Sequence, residues 1–315
     1  MDGETGGVDA GPAADVRRER LEEHVRTLAG ERHPRRSPQA HRRARLYIEE
    51  RFREAGLDPL RESFSFRKGR HDNVVARKEG VDGRRPRVLI GAHYDTVPGS
   101  PGADDNGSGL ALLLEAARVL AQEPLRATVE FVAFDLEEFQ GWTYRVGSRR
   151  YVAQQKDRGV EYAGAFVLEM VGYTDPSPGS QRIPAVLRWM GFPDTGDFLA
   201  AIGDGKSASL LSHYREAQES AAPDLPLVTF RSPLRGWLVW NTRRSDNASF
   251  WSGGIPALML TDTAFLRNPN YHKATDTPDT LDFHFLEQVT RATVEAVRRL
   301  AGPVGSDAGT REPEE

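Results

Sequence analysis

The chain alternates between short apolar runs and amphipathic segments, and this alternation restricts the fold more than any other feature. Residues 128–135, 163–171 and 256–260 are apolar runs of strand length, whereas residues 38–55 and 283–300 place apolar side chains at helical spacing. Runs that are apolar throughout are typical of strands buried on both faces. The pattern predicts an α/β fold with a mixed, mostly parallel central sheet and helices on both faces.

The remaining elements are predicted from the same periodicities. Further helices are expected over residues 17–28, 106–122 and 144–156, and further strands over residues 60–66, 73–77, 87–91, 197–202 and 227–230. A polar, glycine-containing connection separates the strands 73–77 and 87–91, which predicts that they pair as a hairpin. Active sites of such sheets gather at the carboxyl ends of strands, so polar residues just past a strand are the first candidates for chemistry.

Length and composition are those of an ordinary globular protein. The 315 residues carry a formal net charge of −4, which argues against a nucleic acid as the main partner. There is no cysteine, so disulfides are excluded and any metal must be held by nitrogen and oxygen ligands. The N-terminus does not read as a secretory signal, and no apolar run reaches the roughly 18 residues of a membrane span. A cytoplasmic location without membrane contact is expected.

A single domain is predicted over residues 16–302. Residues 1–15 and 303–315 are rich in Gly, Ala, Pro, Asp and Glu and lack hydrophobic periodicity, so both are predicted to be disordered tails. The sequence does not indicate an oligomeric state.

A histidine and an acidic loop follow the strand at 87–91. His93 lies two residues before Asp95, and in extended backbone their side chains point the same way, so Asp95 can accept the ring N–H that a metal does not use. The run Pro-Gly-Ala-Asp-Asp-Asn-Gly-Ser-Gly at residues 101–109 then places Asp105 at a helix start. Either motif alone also fits a turn or an N-cap without chemistry.

Two further acidic positions lie near strand ends. Glu137 and Glu138 are adjacent and repel each other unless a cation lies between them; one can bind a metal while the other takes a proton from the attacking water. Glu169 interrupts the apolar run 163–171, where a carboxylate needs a metal or an arginine as its partner. If the partner is an arginine, the metal ligand would come from elsewhere, such as Asp175.

A second histidine, His272, lies in a proline-rich loop before the last helix. The chain therefore supplies two imidazoles, several carboxylates and a general base, which is what two zinc ions and an activated water require. The other histidines lack a comparable setting. Positions 24, 33, 41 and 71 are expected to face solvent, and positions 213 and 284 to be structural.

With these segments in order, the sequence closely resembles the co-catalytic di-zinc peptidase family of bacterial leucyl-type aminopeptidases, over roughly residues 21–300. The run at 101–109 and the run Tyr-His-x-x-x-Asp-Thr-Pro-Asp-Thr-Leu at 271–281 carry the resemblance and are together highly specific. The same fold, the zinc-dependent exopeptidase or phosphorylase/hydrolase-like fold, also carries glutamate carboxypeptidases and glutaminyl cyclases. The resemblance implies two Zn²⁺ ions per chain and a peptide substrate with a free N-terminus.

The resemblance also implies a metal ligand for each position. His93 and Glu169 would bind one zinc ion, Glu138 and His272 would bind the other, and Asp105 would bridge the two. Most aminopeptidases of the family have Asp where this chain has Glu169, so metal affinity or preference is expected to differ at that site.

The catalytic and substrate-binding residues are implied in the same way. Glu137 matches the general base, Asp95 supports the catalytic set, and Tyr271 matches a residue that helps stabilise the oxyanion. Tyr271 and Arg244 are candidate substrate contacts. The peptide bond from Asp105 to the next residue is expected to be cis. The family's common Ser-Asp-His appears here as Ser-Asp-Asn at residues 245–247, so a polar contact beneath the site is expected to change.

Three functions remain open at this point. The leading hypothesis is an aminopeptidase that hydrolyses the N-terminal peptide bond with water activated by two zinc ions. A glutaminyl-cyclase-like aminoacyltransferase would use a single zinc ion and intramolecular attack by the substrate amine. A binding protein without catalysis on a peptidase scaffold would be expected to have lost ligands, whereas every position here keeps a competent donor.

Overall fold

The central feature of the computed structural model is one eight-stranded sheet, and residues 11–138, 143–183 and 191–304 are described. Its strands are β1 (Leu60–Phe66), β2 (Gly69–Lys78), β3 (Arg87–His93), β4 (Val129–Phe134), β5 (Tyr162–Leu168), β6 (Leu199–Gly203), β7 (Leu227–Arg231) and β8 (Ala257–Thr261). The α-helices in these ranges are α1 (Arg18–Leu28), α2 (Pro38–Glu54), α3 (Gly109–Leu120), α4 (Val146–Asp157), α5 (Ala208–Ala221), α6 (Asn247–Gly253) and α7 (Phe283–Ala301).

The strand order is β1-β2-β4-β3-β5-β8-β6-β7. The four neighbouring strands β4, β3, β5 and β8 run parallel to one another, as do β6 and β7. At the two sides of this central group, β2 is antiparallel to β4 and β6 is antiparallel to β8. The predicted mixed, mostly parallel sheet is confirmed. The carboxyl ends of four parallel strands therefore meet at one edge, where the loops after them can combine side chains into one site.

Helices cover both faces of the sheet, as predicted. In β3, Val88 and Ile90 face a large apolar cluster with α1, α2, α3, α5 and α7, whereas Leu89 faces a second cluster that contains Tyr151 of α4 and Trp251 of α6. Successive residues of a strand point to opposite faces, so a run that is apolar at every position has to be covered on both. None of the helices in the described ranges has the length and apolar character of a membrane span.

The predicted hairpin between residues 73–77 and 87–91 is wrong. β2 pairs with β1, through a turn at residues 67–68, and with β4 on its other side, so that β4 lies between β2 and β3. The apolar character of β3, which is buried from Val88 to His93, predicts an inner strand with a hydrogen-bonded neighbour on each edge. It does not determine which strands these neighbours are, and β4 and β5 take the two positions.

The domain extends beyond its predicted N-terminal limit. Pro12–Asp15 form a 3₁₀ helix, and Ala13 within it is buried in the main apolar cluster. At the other end, Pro303 forms a β-bridge with Leu125. The rest of both predicted tails, residues 1–10 and 305–315, lies outside the described residues.

The expectation that four histidines face solvent is also wrong. His24 and His33 are buried, and the His24 Nδ1 lies 2.8 Å from the Tyr47 hydroxyl. His41 and His71 both approach the buried Asp135 carboxylate, at 2.8 and 3.3 Å. The arginine-rich segments around them suggested exposure, but helices α1 and α2 turn their histidines inward while the arginines extend to solvent.

Candidate metal centre

The predicted ligands converge at the carboxyl edge of the four parallel strands. His93 is the last residue of β3, Glu138 comes a short turn after β4, and Glu169 comes directly after β5. His272 lies in the loop after β8, and Asp105 lies in an irregular turn that leads into α3. Residues from five separate segments therefore share one site because the strand order places their strands side by side.

Two triads of donor atoms share Asp105. The His93 Nε2 lies 3.3 Å from Asp105 Oδ1 and 3.6 Å from Glu169 Oε2. The His272 Nε2 lies 3.2 Å from Asp105 Oδ2 and 3.5 Å from Glu138 Oε1. Within each triad the donor atoms lie within 4.8 Å of one another. One oxygen of Asp105 faces each triad, which is the geometry of a carboxylate that bridges two cations.

The electrostatics of the site fit cations. Nε2 of His93 and Oδ1 of Asp105 are buried and have no hydrogen-bond partner among the described residues. Burial, reinforced by the charge of Asp105, raises the pKa of Glu138 to about 7. Burial opposes protonation of His272, but hydrogen bonds to Asp105 and Glu138 outweigh it and raise its pKa to about 10. The forms that bind a metal are the ionised carboxylate and the neutral imidazole. A cation bound between these groups favours both forms.

Asp95 contacts both the glutamate pair and His93. Its carboxylate accepts the backbone N–H groups of Glu137, at 3.0 Å, and of Glu138, at 3.2 Å. The His93 Nδ1 is closer to the Asp95 backbone carbonyl, at 3.1 Å, than to its carboxylate, at 3.6 Å. The sequence predicted the carboxylate as the partner of the ring. In the structure the carbonyl takes that position and the carboxylate fixes the turn that presents both glutamates.

Glu137 belongs to a third donor group, with His93 and Glu138, that does not include Asp105. One of its oxygens, Oε1, is buried without a hydrogen-bond partner in the described part of the chain. Burial raises the pKa of Glu137 well above its usual range. An ionisable oxygen that is close to the metal donors and free of other bonds can receive a proton.

The turn that carries Asp105 is held by the loop of His272. The Asp276 carboxylate accepts the backbone N–H groups of Asp104, at 2.9 Å, and Asp105, at 3.1 Å. The Asp105–Asn106 peptide bond is cis, as expected. Gly102 precedes the turn with φ +63°, and an added Cβ would lie 2.5 Å from the Asp105 carbonyl oxygen, so no larger residue fits there.

Arg32 was missed by sequence reasoning. It is buried, and its guanidinium donates to backbone carbonyls rather than to a carboxylate. Two of these carbonyls belong to the segment that enters the Asp105 turn, and the five acceptors are Leu28, Gly30, Tyr94, Pro101 and Gly102. The run Glu-Arg-His-Pro-Arg-Arg around it reads as a solvated charged stretch, so no local signal distinguishes it.

The sequence departs from the family pattern at Glu169 and Asn247, and each of these side chains makes a polar contact. The Ser245 hydroxyl donates to Glu169 Oε2 at 2.6 Å and fixes this longer acid toward His93. The Asn247 side chain donates to the Thr242 carbonyl at 2.9 Å. Asp175, the alternative ligand, lies outside the described donor groups, and its carboxylate accepts the Ser177 N–H instead.

Two cavities meet at the site. The metal cavity is lined by the acidic donors and by Tyr144, Arg145, Trp240 and Arg243. The apolar pocket beside it has a wall that includes Ile183, Phe192, Phe198, Ile202, Val228, Phe230 and Met259. Glu169, Arg244 and Tyr271 line both spaces.

The two predicted substrate contacts stand on that boundary. The Tyr271 ring stacks on His272 at 3.7 Å between centroids. The Arg244 guanidinium lies 4.6 Å over the Phe265 ring. Because both side chains line the two spaces, a molecule that extended from one into the other would contact them.

A mixed sheet with buried carboxylate and imidazole donors at its carboxyl edge is an arrangement typical of metal-dependent enzymes, and the comparison with known families narrows the class. Residues 73–297 match the model of peptidase family M28. The chain belongs to this family, which places it among the hydrolases that cleave peptide bonds.

Individual relatives and structural neighbours include more than one kind of enzyme. The chain is 35% identical to the protein YfbL of Escherichia coli (strain K12) over 88% of this chain and 86% of that protein. A zinc aminopeptidase from Bacillus subtilis, BSAP, superposes with a TM-score of 0.57 at 26% identity, covering 75% of this chain and 52% of that one. The glutaminyl cyclase of Porphyromonas gingivalis shares the fold, with a TM-score of 0.69 at 18% identity over 90% of this chain and 98% of that one.

Proposed function

We propose that this M28 peptidase is an aminopeptidase that uses two zinc ions per chain and removes the N-terminal residue of peptides. The observation that carries the proposal is the pair of donor triads that share Asp105, each with one imidazole. A single zinc ion would leave either His93 with Glu169 or His272 with Glu138 without a cation. The cyclase-like alternative, with its single zinc ion, is therefore less well supported.

The residues around the donors have distinct roles in this proposal. Zinc, when bound, acts as a Lewis acid that polarises a carbonyl and makes water more acidic. Glu137 accepts the proton of the attacking water at its unpartnered oxygen and passes it to the leaving amine. Asp95 holds Glu137 in place through its backbone N–H. Tyr271, stacked on His272, presents its hydroxyl to the carbonyl oxygen as negative charge develops there.

The two cavities orient the substrate. The side chain of the N-terminal residue occupies the apolar pocket, and the acidic residues of the metal cavity attract the free ammonium group. Burial of an apolar side chain contributes roughly 1.5–3 kcal/mol, so leucine, methionine and phenylalanine at the N-terminus are expected to be preferred over glycine or aspartate.

The first test is metal content paired with activity. We expect close to two tightly bound zinc ions per chain, loss of activity on leucine p-nitroanilide in a chelator, and recovery on adding zinc. Mass-spectrometric metal analysis and a panel of amino-acid p-nitroanilides measure both. One tight ion at zinc excess, together with cyclisation of an N-terminal glutamine, would instead support the cyclase-like alternative.

Glu169 provides a second test. Glu169→Ala should weaken one zinc site specifically, whereas Glu169→Asp should largely restore it, because the carboxylate shares its triad with His93 and Asp105. A zinc titration by calorimetry resolves the two sites. Asp175→Ala is the matched control and should leave both affinities unchanged. Two unchanged affinities in Glu169→Ala would remove this residue from the metal centre.

A further inference from the structure

Four large apolar side chains are exposed in one short segment between β7 and α6. Leu234, Trp237, Leu238 and Trp240 are 68%, 61%, 69% and 54% exposed, and we call them the apolar rim. The rings of Trp237 and Trp240 lie 5.5 Å apart between centroids. Isolated exposed apolar residues are ordinary, whereas exposed apolar side chains that adjoin one another, as the two tryptophans do, point to an interaction site.

The apolar rim is fixed in place rather than loosely exposed. The Arg243 guanidinium lies 4.4 Å over the Trp237 ring and donates to the Arg235 carbonyl at 2.5 Å. Leu234 and Arg235 have φ of +48° and +55°, a backbone conformation that side-chain-bearing residues adopt only when their surroundings hold it. A segment held in this way presents its tryptophans without a large entropic cost on binding.

The apolar rim is continuous with the metal cavity. Trp240 and Arg243 line that cavity together with Tyr144 and Arg145, and none of these four lines the apolar pocket. If the pocket takes the N-terminal side chain, the remainder of the peptide leaves past these four residues. Trp240 also contacts Trp237, so the aromatic wall of the cavity continues onto the apolar rim.

We infer that the apolar rim binds apolar side chains of the peptide substrate on the C-terminal side of the cleaved bond, beyond the first residue of the leaving peptide. This inference rests on the proposed aminopeptidase function. Charge favours the same occupant, because Arg145 donates to the Arg243 backbone carbonyl rather than to a carboxylate. No carboxylate hydrogen-bonds to this guanidinium in the described part of the chain, so its positive charge favours the negative carboxyl terminus of a peptide.

The test compares peptides that differ only beyond the second residue. Leu-Gly-Phe-Leu-Gly and Leu-Gly-Ser-Ser-Gly share the cleaved bond, and leucine p-nitroanilide reports on the site without a peptide tail. We expect kcat/KM of the zinc-loaded enzyme to be about three- to tenfold higher for the apolar peptide, the size of one or two aromatic contacts. Trp237→Ala and Leu238→Ser should bring this ratio close to one.

Val81→Ser is the matched control. Val81 is 71% exposed and comes after β2, whose end at Lys78 pairs with Val129 at the start of β4, so it lies at the opposite edge of the sheet from the metal centre. This variant should keep the wild-type ratio. Since all three positions are exposed, the substitutions should leave the thermal unfolding temperature nearly unchanged.

Other outcomes would overturn the inference. A ratio near one in the wild type, or a ratio that both rim variants retain, would remove the peptide from this surface. If sedimentation showed a dimer in the wild type that the rim variants lose, while the ratio of the two peptides stayed unchanged, the surface would be a contact between subunits.

A protein that hydrolyses neither peptides nor the anilide would refute the proposed function itself. Calorimetric titration of the zinc-loaded Glu137→Gln variant with both peptides tests the apolar rim without turnover. Tighter binding of the apolar peptide that Trp237→Ala removes would support the rim, and equal binding would overturn it.

Discussion

A Glu137→Gln variant should keep its fold and its zinc but lose roughly 10²–10⁴-fold in kcat, the usual contribution of a general base. The substitution preserves the shape of a side chain that is buried beside the donor triads, with one oxygen free of hydrogen bonds among the described residues. An amide cannot accept the proton of water, so proton transfer loses its acceptor. Because Glu138 and Asp105 remain, the metal content should not change.

Kinetics on leucine p-nitroanilide and metal analysis of the same preparation test this expectation together. Glu161→Gln is a suitable control, since that glutamate is exposed at the start of β5, away from the carboxyl edge of the sheet. Its kcat should equal that of the wild type. Turnover near the wild-type rate in Glu137→Gln would show that another group accepts the proton and that the roles of the glutamate pair are wrongly assigned.

The sequence predicted the parts of the fold that depend on local patterns. Strand β1 spans Leu60–Phe66 as predicted, and helix α7 differs by one residue at its end, because alternation and helical spacing are properties of neighbouring residues. Pairing is not local. The hairpin prediction failed because the apolar character of β3 shows that the strand is buried but does not show which strands flank it.

The same distinction applies to the candidate site. His93, Glu138 and Glu169 could be found because each is a polar residue at or just past the end of an apolar strand, and this pattern can be read from the sequence alone. The supporting contacts could not be found in this way. Asp95 turns its carboxylate to the backbone of a segment 42 residues away, and Arg32 binds carbonyls of a loop about 70 residues away. These partners depend on strand order, which the sequence alone did not give correctly.

The largest effect on the metals is expected from Asp105→Asn. Asp105 belongs to the triad of His93 and Glu169 and to the triad of His272 and Glu138, with a separate oxygen facing each imidazole. An asparagine presents one oxygen and one NH₂ group to the two cations, so one contact becomes repulsive and the shared negative charge is lost. Loss of a residue that only supports a metal ligand already costs about 10–100-fold in affinity, and a bridging ligand should cost at least as much at both sites.

Asp104→Asn is the matched control for this prediction. The Asp104 carboxylate accepts from Asn268 and Ser108, at 2.7 and 2.9 Å, and belongs to neither triad. Its substitution should lower the unfolding temperature but leave two zinc ions per chain, whereas Asp105→Asn should weaken both sites and abolish turnover at limiting zinc. Zinc titration of the two variants separates these outcomes. If Asp105→Asn kept both zinc affinities at their wild-type values, the carboxylate would hold neither ion, and the two-ion mechanism with a shared ligand would have to be abandoned.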